Sequence, residues 1–242
     1  MQLKKLQLDR ILFLDIETVP AVYEFSDLDE DTAKHYLTKN RFIIDRDNLT
    51  PEQAYERAGI MAEFGKIVCI SCGLVKDRIT GGKEIRLKSF ADDDEEKLLR
   101  DFAAMVNDYY NTPNHILCGH NAKEFDFPYI CRRMLINGID LPGTLDIAGK
   151  KPWEINHLDT MELWKFGDYK HYTGLSLLCH IFGVPTPKDD ISGADVARVY
   201  YEENDLPRIT TYCEKDVVAL IQLFLKFRNE GLVKDENIFF SE

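Results

Sequence analysis

Apolar residues are arranged along the first part of the chain in runs that are typical of β-strands. The first run is Arg10–Thr18, a short apolar stretch that ends in carboxylates and predicts a buried strand. Two further strands, Lys66–Val75 and Lys83–Phe90, are separated by a turn that contains two adjacent glycines. The pattern therefore predicts that the sheet begins with three antiparallel strands.

After the third predicted strand the spacing of apolar residues becomes helical, and helices then alternate with short strands. A helix is expected from the apolar positions 98–106, followed by these elements: strand His115–Cys118, helix Pro128–Asn137, strand Ile155–Leu158, and helices Met161–Phe166, Leu175–Phe182, Gly193–Glu203 and Pro207–Glu230. Three antiparallel strands followed by an αβαβα order predict a mixed α/β fold with helices flanking the sheet.

The segment from about residue 21 to residue 64 differs from its surroundings because it is polar and helical in character. Its clearest signal is Thr50-Pro51-Glu52, which has a capping residue followed by proline in the first turn of a helix. We interpret the segment as a helical insertion between strands of one domain that spans residues 1–242.

Composition narrows the range of functions. The 242 residues include 42 acidic and 30 basic side chains, for a net charge of -12. This balance excludes a general basic clamp on duplex DNA, because such clamps neutralise phosphates with lysine and arginine.

The chain also has no clear membrane or targeting signal. No apolar run is long enough to span a membrane, and Asp15 interrupts the apolar run of the first strand in a way that a signal peptide would not tolerate. A cytoplasmic location is expected.

The six cysteines include one close pair, Cys69 and Cys72, within the second predicted strand. Residues three apart on a strand point to opposite faces, so one metal ion would not easily meet both sulfur atoms. The sequence has no second pair that could complete four zinc ligands. We therefore expect buried, reduced cysteines and no zinc site.

Carboxylates at the end of the first strand are the first candidate for chemistry. Asp15 and Glu17 are two residues apart, so their side chains share one face of a strand that is otherwise apolar. Two like charges on a buried face need a counter-ion. Taken alone, the pair could also be an ordinary solvated strand end.

Two later segments add acidic groups in positions that turn inward. Asp126 lies between a strand and a helix, where on its own it could be a helix N-cap. Tyr212 and Asp216 are four apart in the last helix and share a face that is otherwise apolar. Four converging carboxylates require cations, and a pair of hard ions such as Mg²⁺ or Mn²⁺ suits oxygen ligands and phosphoryl transfer.

The order and spacing of these residues resemble the three motifs of the DEDD superfamily of 3′-5′ exonucleases, which have a ribonuclease H-like fold. The matching motifs are Asp15-Ile-Glu17, Asn121-x-x-x-Phe125-Asp126 and Tyr212-x-x-x-Asp216. Tyrosine four residues before the last aspartate marks the tyrosine type, DEDDy, because the other branch has histidine where this chain has Thr211. Three short segments look most like a stand-alone bacterial group related to the proofreading domain of B-family DNA polymerases: Asp15-Ile-Glu-Thr-Val-Pro20, Gly65-Lys-Ile-Val68 and Tyr212-Cys-Glu-Lys-Asp216.

The resemblance implies a mechanism with two divalent cations. Asp15, Glu17 and Asp216 would hold the ion that carries the attacking water, and Asp126 would share the second ion with Asp15. Tyr212 would mainly position the water, since an ordinary phenol is a poor base at neutral pH. The product would be a nucleoside 5′-monophosphate released from the 3′ end of single-stranded or frayed nucleic acid, with DNA as the expected substrate and proofreading or repair as the expected context.

Other residues are weaker candidates for substrate contacts. The resemblance points to Thr18, Asn121 and Phe125 near the terminal nucleotides, although Phe125 could equally be a core residue. Scattered cations could touch phosphates, with solvated surface positions as the alternative: Arg132, Arg133, Lys165, Lys170, His171 and Lys188. Asp159 could support the site, but a helix N-cap is the favoured interpretation.

Three alternatives remain open at the level of the sequence. An exoribonuclease that trims RNA would carry the same motifs, because a contact to the 2′-hydroxyl separates RNA from DNA. A non-catalytic module that binds nucleic acid or a polymerase partner would be expected to lack at least one carboxylate, and all four are present. A structure-specific endonuclease would need an open groove in place of a blocked pocket.

Overall fold

The computed structural model describes residues 3–168, 172–185 and 191–241. Within them, strands form one sheet and are numbered in chain order: β1 Ile11–Pro20, β2 Gly65–Asp77, β3 Lys83–Ala91, β4 Ile116–Gly119, β5 Leu158–Asp159 and β6 Ile238–Ser241. Their spatial order is β5-β4-β1-β2-β3-β6, which places β1 near the centre of the sheet.

The pairing of the strands confirms the predicted mixed sheet. Strands β1, β2 and β3 are successively antiparallel, whereas β4 is parallel to β1 and β5 is parallel to β4. The predicted strand Ile155–Leu158 is wrong in its bounds, because β5 only begins at Leu158. Strand β6, which is parallel to β3, was not predicted. It is a short and largely exposed edge strand with little alternation of buried and exposed positions.

The helices are also numbered in chain order: α1 Glu30–Asp47, α2 Pro51–Tyr55, α3 Glu95–Tyr109, α4 Asp126–Ile136, α5 Thr160–Lys165, α6 Leu175–Phe182, α7 Val196–Arg198 and α8 Leu206–Phe227. The predicted helix Gly193–Glu203 is wrong in part, since α7 is one short α-helical turn, Val196–Arg198, which continues as a π-helical segment over Val199–Glu203. The last helix ends at Phe227, three residues before the predicted Glu230. Asn229, just after its end, adopts a left-handed backbone with φ 57°.

Strand β1 is buried on both faces. On one face Phe13 packs edge-to-face against Phe224 of α8, with ring centroids 5.2 Å apart. On the other face Leu12 and Leu14 join the core that α3 and α4 cover. Because side chains alternate along a strand, Asp15 lies on the same side as Phe13 and therefore faces α8. The fold thus brings the first motif next to the helix that carries the third.

The segment 21–64 contains α1 and α2 and has a small aromatic core of its own around Tyr36 and Tyr55, with ring centroids 5.0 Å apart. The predicted helix start at Thr50 is confirmed, because its hydroxyl accepts a hydrogen bond from the Gln53 N–H at 3.2 Å in a capping box. Tyr129 of α4 donates a hydrogen bond to the Gly59 carbonyl at 2.7 Å and so fixes the segment to α4. We infer that it is an insertion within a single domain.

The prediction of buried, reduced cysteines is confirmed for five of the six, whereas Cys131 is only half-buried. All six are free, and Cys69 and Cys72 belong to the cores on opposite faces of β2. None of the described helices is long and apolar enough to cross a membrane.

Candidate active site

The carboxylates of β1 meet α8 at the end of the central strand. Asp15 is half-buried, and Glu17 is only 7% exposed. Ligand atoms of Asp15, Glu17 and Cys213 all lie within 4.8 Å of one another. The strand pairing with β2 shifts by one residue between Glu17 and Thr18, so an irregularity in the ladder directly follows the two carboxylates.

Asp126 reaches the same place from α4. It is the first residue of the helix and is 4% exposed, and Phe125 occupies the N-cap position without a capping hydrogen bond. The N-cap alternative for Asp126 is therefore wrong. Its carboxylate lies close enough to β1 that, after burial, its charge is the next largest cause of the raised pKa of Asp15.

The third motif lies on the face of α8 that covers β1. Tyr212 and Asp216 are one turn apart, and burial followed by the charge of Asp216 raises the pKa of Tyr212. The charge of Asp216 raises the pKa values of both Asp15 and Glu17. All four predicted carboxylates and Tyr212 therefore converge at one site, built from β1, α4 and α8.

The electrostatics of this site are unfavourable without a counter-charge. Burial, followed by repulsion from neighbouring carboxylates, raises the pKa values of Asp15 and Glu17 well above their ordinary range. Burial also raises the pKa of Asp126 to about 7. A buried carboxylate that its neighbours repel fits the role of a cation ligand.

Cys213 is a neighbour that the sequence analysis did not identify. Its Sγ lies 3.4 Å from the Asp15 carbonyl oxygen and 3.7 Å from Asp15 Oδ2. The thiol thus supports the backbone and the carboxylate of the first motif from the side of α8. Its position beside Tyr212 in the third motif is the only signal in the sequence that could have suggested this contact.

Asp159 confirms the N-cap interpretation and has a second role that was missed. Its carboxylate, 2% exposed, accepts hydrogen bonds from the Met161 and Glu162 N–H groups of α5 at 2.9 and 3.3 Å. It also accepts from the N–H groups of Asn121 at 3.0 Å and Lys123 at 3.1 Å. One side chain therefore holds both the start of α5 and the loop that leads to Asp126.

The predicted substrate contacts lie around the carboxylates, and their roles stay predictions. Thr18 is half-buried and hydrogen-bonds the phenol of Tyr129. Asn121 is half-buried with a left-handed backbone, φ 61°. Phe125 is half-buried and packs against Tyr129, with ring centroids 5.4 Å apart. Packing of Phe125 against the core is consistent with the alternative that it is structural.

The cations predicted as possible phosphate contacts lie in different environments. A phosphate contact by Arg133 is wrong, since its guanidinium is buried and bound to Glu95, with Nη2 at 2.5 Å from Oε2. Arg132 is exposed, and Lys165 is half-buried beside an aromatic ring. Three of the predicted cations lie outside the described residues: Lys170, His171 and Lys188.

Comparison with known proteins agrees with this geometry. Residues 60–237 match the family described as a predicted 3′-5′ exonuclease related to the exonuclease domain of PolB. The chain belongs to this exonuclease family. None of the curated proteins matches the chain.

The fold is similar to that of a solved structure, the family B DNA polymerase from the hyperthermophilic archaeon Pyrobaculum calidifontis. The TM-score is 0.53 at 16% sequence identity, over 90% of this chain and 24% of the polymerase. The chain thus spans about a quarter of the polymerase's length. The likeness confirms the predicted ribonuclease H-like fold, and the family confirms the prediction of a 3′-5′ exonuclease as opposed to a non-catalytic module.

The raised pKa values predict how the metal-free protein depends on pH. A carboxyl whose pKa is raised by folding stabilises the fold below its unfolded pKa, near 4, and this stabilisation is lost as pH rises through the folded pKa, about 7 for Asp126. In chelator, Asp15→Asn should raise the melting temperature at pH 8 by at least about 2 °C, and by less at pH 5.

Thermal melts at the two pH values, with exposed Asp140→Asn as the control, measure this effect. Melting temperatures of Asp15→Asn that equal those of the wild type at both values would show that the carboxylates do not repel one another.

Proposed function

We propose that this exonuclease releases nucleoside 5′-monophosphates from the 3′ end of single-stranded or frayed nucleic acid and requires two divalent cations. The observation that carries the proposal is the convergence of half-buried Asp15 with the buried Glu17 and Asp126, all three with raised pKa values. Such a cluster is costly in an apolar interior unless positive charge balances it. Bound cations supply that charge.

The donor set favours hard cations. Asp15, Glu17, Asp126 and Asp216 offer carboxylate oxygens, which suit Mg²⁺ and Mn²⁺. Cys213 adds a sulfur atom beside Asp15, but burial and the neighbouring thiol of Cys69 raise its pKa well above the ordinary value. The thiol therefore stays protonated and does not compete as a thiolate ligand. We assign the ion that carries water to Asp15, Glu17 and Asp216, and the second ion to Asp15 and Asp126.

Bound divalent cations lower the pKa of water and stabilise the oxygen that leaves in phosphoryl transfer. Tyr212 contributes as a neutral phenol, because burial and the charge of Asp216 raise its pKa above the usual value of 10. It can donate a hydrogen bond and orient the attacking water, but it does not serve as a general base at neutral pH. Asp216 lies one turn further along α8 on the same face, and its charge favours the protonated phenol.

The charge of the chain bears on the substrate. A net charge of -12 disfavours long duplex, whose binding depends on neutralising many phosphates. A strand end that enters the cation site needs far fewer basic contacts. We therefore propose end-on binding of a short single-stranded segment, with DNA as the expected substrate and RNA as the second candidate.

The experiment that tests this function follows 5′-labelled single strands of DNA and RNA of the same sequence on a sequencing gel. We expect stepwise shortening with Mg²⁺ or Mn²⁺, faster on DNA, and no reaction in EDTA. A strand with a 3′-phosphate should resist the enzyme, because its terminus differs at the group that is bound. Faster shortening of RNA would instead assign the exoribonuclease activity.

A closed circular single strand is the matched control for an end-dependent reaction. It contains the same phosphodiester bonds but no 3′ end, so the proposed enzyme should leave it intact. Cleavage of the circle, or the release of oligonucleotides from the linear strand, would identify an endonuclease and overturn the proposal.

A further inference from the structure

One exposed aromatic ring contacts the loop of the second motif and another lies at the end of α5, and the proposed mechanism uses neither. Tyr172, which hydrogen-bonds Glu124 of that loop, is 64% exposed. Phe166 at the end of α5 is 91% exposed and has a left-handed backbone, φ 45°, which costs a bulky residue backbone strain. An exposed ring beside a catalytic loop is a candidate for contact with a ligand.

A cation lies over one of the rings. Lys165 Nζ is 4.3 Å from the centroid of the Tyr172 ring, within the range of a cation–π interaction. Because Lys165 directly precedes Phe166, the end of α5 carries both the cation that covers the Tyr172 ring and a second, exposed aromatic residue. Aromatic faces with adjacent positive charge are the chemistry that binds single-stranded nucleic acid, through base stacking and phosphate contacts.

Hydrogen bonds connect this surface to the catalytic loop. The phenol of Tyr172 donates to Glu124 Oε2 at 3.0 Å, and the His120 Nε2 lies 3.0 Å from the Thr173 carbonyl oxygen. Glu124 is two residues from Asp126, so their Cα atoms are at most about 7 Å apart. The Tyr172 ring is therefore held at the edge of the carboxylate site.

The base of this surface is part of the core. Trp164 of α5 stacks on Phe227 of α8, with ring centroids 6.3 Å apart, which fixes the helix that carries Lys165 and Phe166. The rings are thus exposed on a supported element. This is the arrangement expected of a binding surface and not of a frayed end.

We propose that Tyr172, Lys165 and Phe166 form a subsite where upstream bases of the single strand stack after its 3′ end has entered the carboxylate site. This inference rests on the proposed function and adds the residues that engage the strand beyond the scissile nucleotide. The occupant is single-stranded nucleic acid, because the surface combines stacking faces with a cation and adjoins the site where the strand is cut.

The test compares the KM of a dinucleotide with that of an octanucleotide, which is long enough to reach the subsite. Tyr172→Ala should raise the KM of the octanucleotide about 5- to 150-fold, the range expected for loss of stacking on one base, with kcat unchanged. The KM of the dinucleotide should not change. Tyr172→Phe retains the ring but loses the hydrogen bond to Glu124, so its KM for the octanucleotide should lie closer to the wild type than that of Tyr172→Ala, with the dinucleotide unchanged.

Two further variants separate the contributions. Phe166→Ala should also raise the KM of the octanucleotide alone, and Lys165→Ala should lower the slope of log KM against log salt by about one, for the loss of one phosphate contact. Tyr109→Ala is the control, since Tyr109 is 69% exposed in a groove beside Lys88 and Ser241, away from the second motif.

Two results would overturn the subsite: a KM for the octanucleotide that is unchanged in Tyr172→Ala, as expected if these rings bind a protein, or an equal rise for both substrates. The proposed function fails separately if the wild type degrades neither strand. Fluorescence anisotropy of the labelled octanucleotide in EDTA then decides the subsite: weaker binding by Tyr172→Ala supports it, and equal binding overturns it.

Discussion

Replacing Asp15 with asparagine should lower the rate of exonuclease cleavage by at least about 10³-fold, because the carboxylates and their cations act as a unit. Asp15 is central to the site: its pKa responds to both Asp126 and Asp216, so it interacts with the carboxylates of α4 and α8. Glu17→Gln and Asp126→Asn should have comparable effects. The measurement is the initial rate of shortening of a 5′-labelled strand at saturating Mg²⁺.

The variants must be compared with a folded control of similar chemistry. Asp140→Asn removes one carboxylate from an exposed position and should retain full activity. Thermal melts of Asp15→Asn in the assay buffer check that the variant is folded, so that its loss of rate reports on catalysis. A rate for Asp15→Asn within about tenfold of the wild type would contradict the assignment of the site.

The largest effect on stability is expected for Asp159→Ala. The change removes the acceptor of four backbone N–H groups, two in α5 and two in the loop of the second motif. Losing an N-cap costs about 1 kcal/mol, and hydrogen bonds to a buried charge are worth more, so we expect a loss of about 3 kcal/mol or more. Activity should also fall by about 10- to 100-fold, because Asp126 follows the released loop.

Chemical denaturation with CD detection measures the loss of stability. Asp94→Ala is the matched control: Asp94 caps α3 by accepting one N–H from Lys97 at 3.2 Å, and α3 carries none of the site residues. It should cost about 1 kcal/mol and leave activity unchanged. Equal losses of stability for the two variants would show that Asp159 is an ordinary helix cap.

The site could be predicted wherever local periodicity determines where a side chain points. Asp15 and Glu17 share a face because strand residues alternate, and Tyr212 and Asp216 share one because a helix repeats every 3.6 residues. These two regularities, together with the order of the motifs, indicated the carboxylate cluster. The same periodicities gave the first three strands and the main helices of the fold.

Long-range contacts had no comparable signal. The carboxylate of Asp159 holds a loop 38 residues earlier in the chain, and the pairing of β6 with β3 joins segments about 150 residues apart. The support that Cys213 gives to Asp15 depends on how α8 crosses β1. Each of these features follows from tertiary packing, which a local pattern of apolar and polar residues does not encode.

The central claim is that the four carboxylates form a site for divalent cations. The most direct test is a titration with Mn²⁺ in the presence of a nucleoside 5′-monophosphate, with binding measured by electron paramagnetic resonance. We predict two bound ions per chain for the wild type and for Asp140→Asn, and at least a tenfold weaker affinity for Asp15→Asn. A wild-type chain that binds no Mn²⁺, or an Asp15→Asn variant that binds as tightly as the wild type, would contradict the account.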